Sequence, residues 1–203
     1  MYVPHHYRME DSAEILDFMQ KFSFATIITV QNKLPIATHL PFLVEKIGTD
    51  IYLSAHFAKA NPQWESLEQQ PVLVIFSEPH AYVSPQWYDK PLNVPTWNYL
   101  AVHAYGEAQL ITEAEALTQL LESTIHFYES AYKIQWDTLP LAYKEGLIKG
   151  IVGFRLKVTD LQAKKKLSQN KTLHEQNTIA EALSQSEDSS AQKLAEYMRK
   201  DKN

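Results

Sequence analysis

The segment SAHFAKANP, Ser54 to Pro62, carries the residue types most suited to holding an anion. A β-type run ends there, His56 and Lys59 follow, and Asn61-Pro62 has the form of an N-cap with proline at the first helical position. A helix N-terminus presents free N–H groups and a partial positive charge, which suits a phosphate. Lys59 adds a full charge and His56 a donor. Read without a ligand, Asn61 is a plain cap and Lys59 a surface lysine, and the residues by themselves leave both readings open.

Two other stretches could build a site. In ATHLPF, Ala37 to Phe42, Thr38 and His39 lie within a β-type run, so their side chains take opposite faces and one of them meets the core or a ligand. Taken singly, each also reads as an ordinary strand residue. From Pro79 to Gly106 the chain is rich in proline, tryptophan and tyrosine and nearly uncharged, unlike an ordinary polar loop. Trp87, Tyr88, Trp97 and Tyr99 could wall a flat heteroaromatic ring, with Ser84 and Asn98 bonding its edge. The same aromatics would equally suit the core of a dimer interface, and a ligand in that interface satisfies both readings.

Much chemistry is excluded. Without cysteine the chain has no disulfide, thiolate metal site or cysteine nucleophile. The eight histidines form no H-E-x-x-H and no tight cluster with carboxylates, so no metal site is expected. A haem held by one histidine leaves no spacing signature and stays as a lesser alternative. There is no G-x-S-x-G and no G-x-G-x-x-G, and with only 5 glycines a Rossmann or P-loop site is not expected.

At 203 residues and 45% hydrophobic the chain can bury a full core. The N-terminus has no apolar signal core and no run is long enough to span a bilayer, so a cytoplasmic protein without membrane association is expected. Charge is uneven. Residues 161–203 carry 8 Lys and Arg against 6 Asp and Glu, and the rest 11 against 18. An acidic body does not attract nucleic acid broadly. The run at Lys164, Lys165 and Lys166, with Lys171, reads as a solvated charged face.

These residues need elements to position them. Asp11–Phe22 reads as a helix, with Asp11 and Glu14 at capping-box spacing. Phe24–Val30 and Pro35–Val44 flank a turn-like QNK and predict a hairpin, and Ile51–His56 predicts a third strand. A short helix follows from Asn61 to Glu68. Val72–Ser77, Ala81–Ser84, Tyr99–Ile111 and Ile151–Leu161 predict further strands. Thr112 and Glu115 predict a second capping box, opening a helix with Leu117, Leu120, Leu121, Thr124 and Tyr128 on one face. Leu141–Lys149, Thr172–Leu183 and Ser190–Arg199 complete the helices. Hairpin-linked strands with few helices predict a mainly β (α+β) closed or nearly closed barrel with helices outside.

Seven motifs in order, MYVP, ATHLP, H-x-A-K-A-N-P-x-W (His56–Trp64), PHAYVSPQWY, VPTWNYLAVHA, IVGF and KLSQN, resemble the PaiB family of FMN-binding negative transcriptional regulators. The resemblance implies an FMN-binding split β-barrel over residues 1–162, a helical C-terminal extension over 163–203 packed on it, and a homodimer with flavin between subunits. It implies that Ser54, His56, Lys59 and Asn61 meet the phosphate, that Thr38 and His39 lie near the ring or ribityl chain, and that Trp87, Trp97 and Asn98 approach the flavin face. An FMN-dependent oxidoreductase of the pyridoxamine-phosphate-oxidase or flavin-reductase type is the alternative, and a dimer with an empty groove a further one. The family name implies transcription, yet no helix-turn-helix is evident, so DNA contact rests on the name alone. The chain also departs from the family's pattern, reading AKKKLSQN where GKFKLSQN is usual.

Overall fold

The computed structural model describes residues 1–200, which form two compact, interleaved units. One contains Met1–Ile15, Phe76–His103 and the chain from Gln162 onward; the other contains Leu16–Ile75 and Ala104–Leu161. The chain has seven strands: β1 (Phe24–Gln31), β2 (Leu34–Pro41), β3 (Leu43–Ile47), β4 (Asp50–Ala58), β5 (Val72–Val83), β6 (Thr96–Ile111) and β7 (Ile151–Lys166). Their order in the sheet is β2-β1-β5-β6-β7-β4-β3. The three long strands β5, β6 and β7 each contribute residues to both units.

Within the second unit, the QNK turn is the expected hairpin. Asn32 and Lys33 both adopt positive φ, 52° and 66°, the two-residue turn whose twist matches antiparallel strands. Although four strands separate β2 from β4 in the sheet order, the two touch, so the sheet curls back on itself into a barrel. Phe42, Phe57 and Phe154 fill it, with ring centroids 6.0 and 5.2 Å apart around Phe154. Leu53, Ile27, Val74 and Leu156 are buried with them. Helix α2 (Ala114–Glu129) lays Leu117 and Leu120 on β7 at Gly153, where a Cβ would stand 2.7 Å from Leu117 Cδ2.

The capping box at Thr112 and Glu115 does not form. The N-cap of α2 is Glu113, with no side-chain cap bond, so the helix opens one residue beyond the register that spacing requires. Beyond α2 lies a short helix, α3 (Lys133–Thr138), that periodicity did not reveal. It is anchored by Trp136, which is buried and donates its indole N–H to Glu122 Oε1 at 3.0 Å, and by Lys133, which pairs with the same carboxylate at 3.7 Å. Helix α4 (Leu141–Lys149) matches its expected bounds.

In the first unit, α5 (Leu173–Ser184) and α6 (Ser189–Lys200) pack on each other. A full capping box between Thr172 and Glu175 opens α5. The tail shares this unit with residues 1–15 and 76–103. The expected strands Val72–Ser77 and Ala81–Ser84 are one continuous β5, in which burial shifts phase by one residue at the exposed pair Ser77 and Glu78 and resumes at Pro79, Ala81 and Val83. At the first helix, α1 (Ser12–Lys21), Asp11 caps as expected by accepting from Ala13 N–H at 2.8 Å. Glu14, however, turns to the Lys165 ammonium, 2.8 Å away.

The lysine run is not a solvated face. Its three residues continue β7, and the strand's alternation turns them onto the unit's own groups. Lys164 is 8% exposed and lies over the rings of Tyr99, Tyr2 and Tyr7 at 5.1, 5.9 and 6.0 Å. Lys165 pairs with Glu14, and Lys166 donates to Thr96 Oγ1 and the Trp97 carbonyl. At the position where the family pattern has an aromatic, this chain therefore has an ion pair.

On β6, a Cβ at Gly106 would lie 2.3 Å from the Lys157 carbonyl oxygen and 2.5 Å from Leu156 Cδ2. Gly106→Ala is expected to cost about 3 kcal/mol, read as a lowered urea midpoint with an unchanged slope, because backbone and not a flexible side-chain end must yield.

Candidate functional site

Strand β4 carries Ser54 and His56 on one face by alternation. Ser54 is buried opposite Leu43 of β3 and Arg155 of β7; His56 is half-buried opposite Gly153. After Ala58 the chain leaves the sheet in a turn pinned on both sides of Lys59. The Lys59 N–H donates to the Gly150 carbonyl at 2.8 Å, and its carbonyl accepts the Trp64 indole N–H at 3.0 Å. The Lys59 side chain is exposed, with no carboxylate within 4 Å among the described residues.

Asn61 caps the helical turn Pro62–Gln69, a 3-10 helix, accepting from Gln63 N–H at 3.0 Å. Its amide also donates to Thr38 Oγ1 at 3.0 Å, and the Thr38 hydroxyl donates to Gln63 Oε1 at 2.6 Å. Gln63 completes the network by donating Nε2 to the Ile36 carbonyl on β2 at 3.2 Å. The structure thus brings Thr38 and Asn61 into direct contact. The residue that joins them, Gln63, is 1% exposed and escaped the sequence reading. A glutamine just inside a helix reads as a surface residue, and its partners are identifiable only once β2 is in place. His39 takes the opposite, exposed face of β2, stacked 6.1 Å from the Phe24 ring.

The only ionisable side chains from Ser54 to Trp64 are His56 and Lys59. An acid-free turn with one unpaired ammonium and an ordered amide and hydroxyl beside it is chemically suited to a phosphate monoester. Burial holds the imidazole of His56 below its ordinary value of 6.5, so near neutrality it is an uncharged donor or acceptor.

The aromatic candidates lie in the other unit. Trp97 is 51% exposed, with the Tyr82 ring 6.3 Å away edge-on and His80 at 5.6 Å, leaving much of the indole accessible. Trp87 sits half-buried in the short turn Pro85–Trp87. Asn98 is fully buried, donating Nδ2 to Ser168 Oγ at 2.9 Å and contacting the Met198 sulfur at 3.7 Å. Its amide fastens β6 to the KLSQN segment. Among the described residues, no group of three or more His, Asp and Glu side chains is arranged to hold a metal ion, and no helix is long and apolar enough to cross a membrane.

Comparison with known proteins places this arrangement. Residues 1–160 match the model of the family described as "Putative FMN-binding domain". The chain is 42% identical over 202 residues to the protease synthase and sporulation protein PAI 2 of Bacillus subtilis, covering 98% of this chain and 96% of that protein. It is 32% identical over 187 residues to an uncharacterised protein of Emericella nidulans, covering 70% and 74%. Among solved structures, the flavocytochrome Anf3 from Azotobacter vinelandii superposes with a TM-score of 0.63 at 20% identity, covering 80% of this chain and 70% of that one. The FAD and haem binding protein from Mycobacterium smegmatis gives 0.62 at 15% identity, covering 79% and 73%. At those identities the likeness is one of fold, and it agrees with the mainly β barrel and outer helices expected from the pattern of elements.

Two outcomes follow from the buried groups. Gln63→Leu, which leaves the Ile36 carbonyl and the Thr38 hydroxyl without their partner, should cost about 1–3 kcal/mol in urea unfolding. His56, lowered by burial, and His103, lowered by burial and then by the Met1 ammonium, both bind protons more tightly in the unfolded chain. Their contribution to stability is complete above 6.5 and is lost as pH falls from 6.5 through their folded values. Both imidazoles should titrate below 6.5 by NMR, and His56→Gln should flatten the acid limb of stability against pH.

Proposed function

This chain belongs to the FMN-binding domain family whose model spans its residues 1–160, and from that membership we propose that it binds FMN as a homodimer and serves as a cytoplasmic, redox-sensing regulator. The family match carries the reading, and the acid-free turn at Lys59 agrees with it. FMN, when bound, supplies reversible hydride and electron transfer. The protein's part is to bind and orient it. In this reading Lys59 neutralises the phosphate, and the amide of Asn61 and hydroxyl of Thr38, held in register by Gln63, present neutral polar groups beside it. Ser54 and the uncharged His56 line the approach along β4, and His39 faces the ring or ribityl chain from the outer side of β2. In the homodimer of this reading, Trp87 and the accessible indole of Trp97 offer flat surfaces to the isoalloxazine bound by the partner subunit. Asn98 acts by holding β6 and the KLSQN segment together.

The regulatory part of the reading is supported by the 42% identity to PAI 2 of Bacillus subtilis, a protein named for protease synthesis and sporulation. The structure favours a regulator that works through a partner over one that grips DNA with its lysine run. Lys164 is buried against tyrosines, Lys165 is paired with Glu14, and Lys166 lines a small cavity, so the run offers no open cationic face to a phosphate backbone.

The test is direct. The purified protein should show the visible bands of oxidised flavin, or acquire them with FMN, at one FMN per chain. Lys59→Ala should raise the FMN dissociation constant about 10–100-fold, the worth of one charge-assisted bond, with unchanged thermal stability. Unchanged affinity would remove Lys59 from the site. Rapid bleaching of the flavin by NAD(P)H with turnover of an acceptor would replace the regulatory reading with the oxidoreductase one.

A further inference from the structure

The first unit contains a cavity of about 180 Å³ that the flavin reading does not use. Its polar lining comes from Tyr7, Asn93, Thr96, Lys166, Ser168, Asn170 and Lys171, with the ring of Tyr88 beside them. No acidic residue lines it. The Lys171 ammonium stands 2.8 Å from Asn93 Oδ1 and 3.9 Å above the Tyr88 ring. The Lys166 ammonium rests on Thr96 Oγ1 and the Trp97 carbonyl. Neither has a carboxylate within 4 Å among the described residues. The acids beside the cavity are committed elsewhere. Glu175 accepts the N–H groups of Thr172 at 3.1 Å and Asp89 at 3.2 Å, and Asp89 meets the hydroxyl of Thr172 and the ring of His174, each at 3.5 Å. Glu175 feels the Lys171 charge at longer range, and Lys164, behind the same wall on the Tyr7 ring, adds a further positive charge to the unit.

Partly desolvated ammonium groups without a counter-charge are unfavourable, and a bound anion removes that cost. Burial, with Lys164 second, already pushes the Lys166 ammonium below its ordinary value, in the direction expected of a cation lacking its partner. The cavity has room for about six water volumes, enough for a tetrahedral oxyanion. It is smaller than the roughly 300 Å³ at which sites for larger organic ligands begin. Around the two lysines stand neutral donors, the hydroxyls of Thr96 and Tyr7 and the amide of Asn170, the mixture that recognises phosphate oxygens.

We propose that this cavity is a second ligand site, taking a phosphate-sized tetrahedral oxyanion between Lys166 and Lys171, as the free ion or as the terminal group of a small phosphomonoester. Because Ser168 and Asn170 belong to KLSQN and Lys171 leads into α5, occupancy would bear on the docking of the tail. The site is separate from the flavin reading and does not rest on it.

Calorimetric titration of the full chain with inorganic phosphate in chloride buffer tests the idea. One phosphate should bind per chain. Lys171→Met should weaken it at least about tenfold, and Lys171→Arg by less than about threefold. Should Lys171→Met fold poorly by circular dichroism, Lys171→Gln takes its place. FMN saturation and Lys59→Ala should leave phosphate binding unchanged. Methyl phosphate run in parallel identifies the source: equal affinity supports a phosphomonoester, lost affinity supports the free ion, and either upholds the site. No binding up to about 10 mM phosphate would overturn the proposal. So would binding that FMN or Lys59→Ala abolishes while Lys171→Met leaves it intact, since the ion would then be entering the flavin's phosphate site.

Discussion

A single buried amide organises the second unit's candidate site. Gln63 is out of water, and its amide has to find partners within the protein or destabilise the fold. It finds them on the Ile36 carbonyl and the Thr38 hydroxyl, so the helical turn after β4 is fastened to β2. Asn61 is drawn into the same network through Thr38. With Asn61 fixed, and with Lys59 pinned by Gly150 and Trp64, the turn presents its lysine in one place. The cation itself is not buried; what is buried is the apparatus that aims it. In the proposed reading a ligand phosphate would meet an amide and a hydroxyl already held in place, which lowers the ordering cost of binding.

The first unit treats its lysines differently. Three consecutive lysines would normally mark a solvated surface, but here they finish a strand, and the unit's tyrosines, carbonyls and one glutamate receive them. They hold the N-terminal segment, β6 and the KLSQN segment to one another, and among the described residues only Lys165 meets a carboxylate in doing so. Asn98 acts in the same way, joining β6 to Ser168 from a position without solvent contact. An acidic chain whose lysine run is turned onto its own unit has little to offer a nucleic acid along that run.

Much of this was legible in the residues. The hairpin at Asn32-Lys33, the Asn61 cap, the helix that opens after Thr172 and α4 each follow from local chemistry that needs no distant partner. The failures share one cause. The Thr112–Glu115 box, the split in β5, the missing α3 and the solvated lysine run were all inferred from neighbours in sequence, whereas the structure settled them by contacts from elsewhere in the chain. Gln63 belongs with them: its partners lie 25 and 27 residues away.

The residue order by itself determined the mainly β barrel with outer helices, the family, and the presence of a cation next to a helix-opening turn. These are properties of period, turn chemistry and composition, which act over a few residues. Only the tertiary structure decided that Thr38 and Asn61 touch, that Asn98 is a fastening rather than an exposed edge, and that Lys166 and Lys171 line one cavity whose walls include no carboxylate. Burial and electrostatic compensation are properties of groups that meet in space, and a one-dimensional pattern does not specify which groups those are.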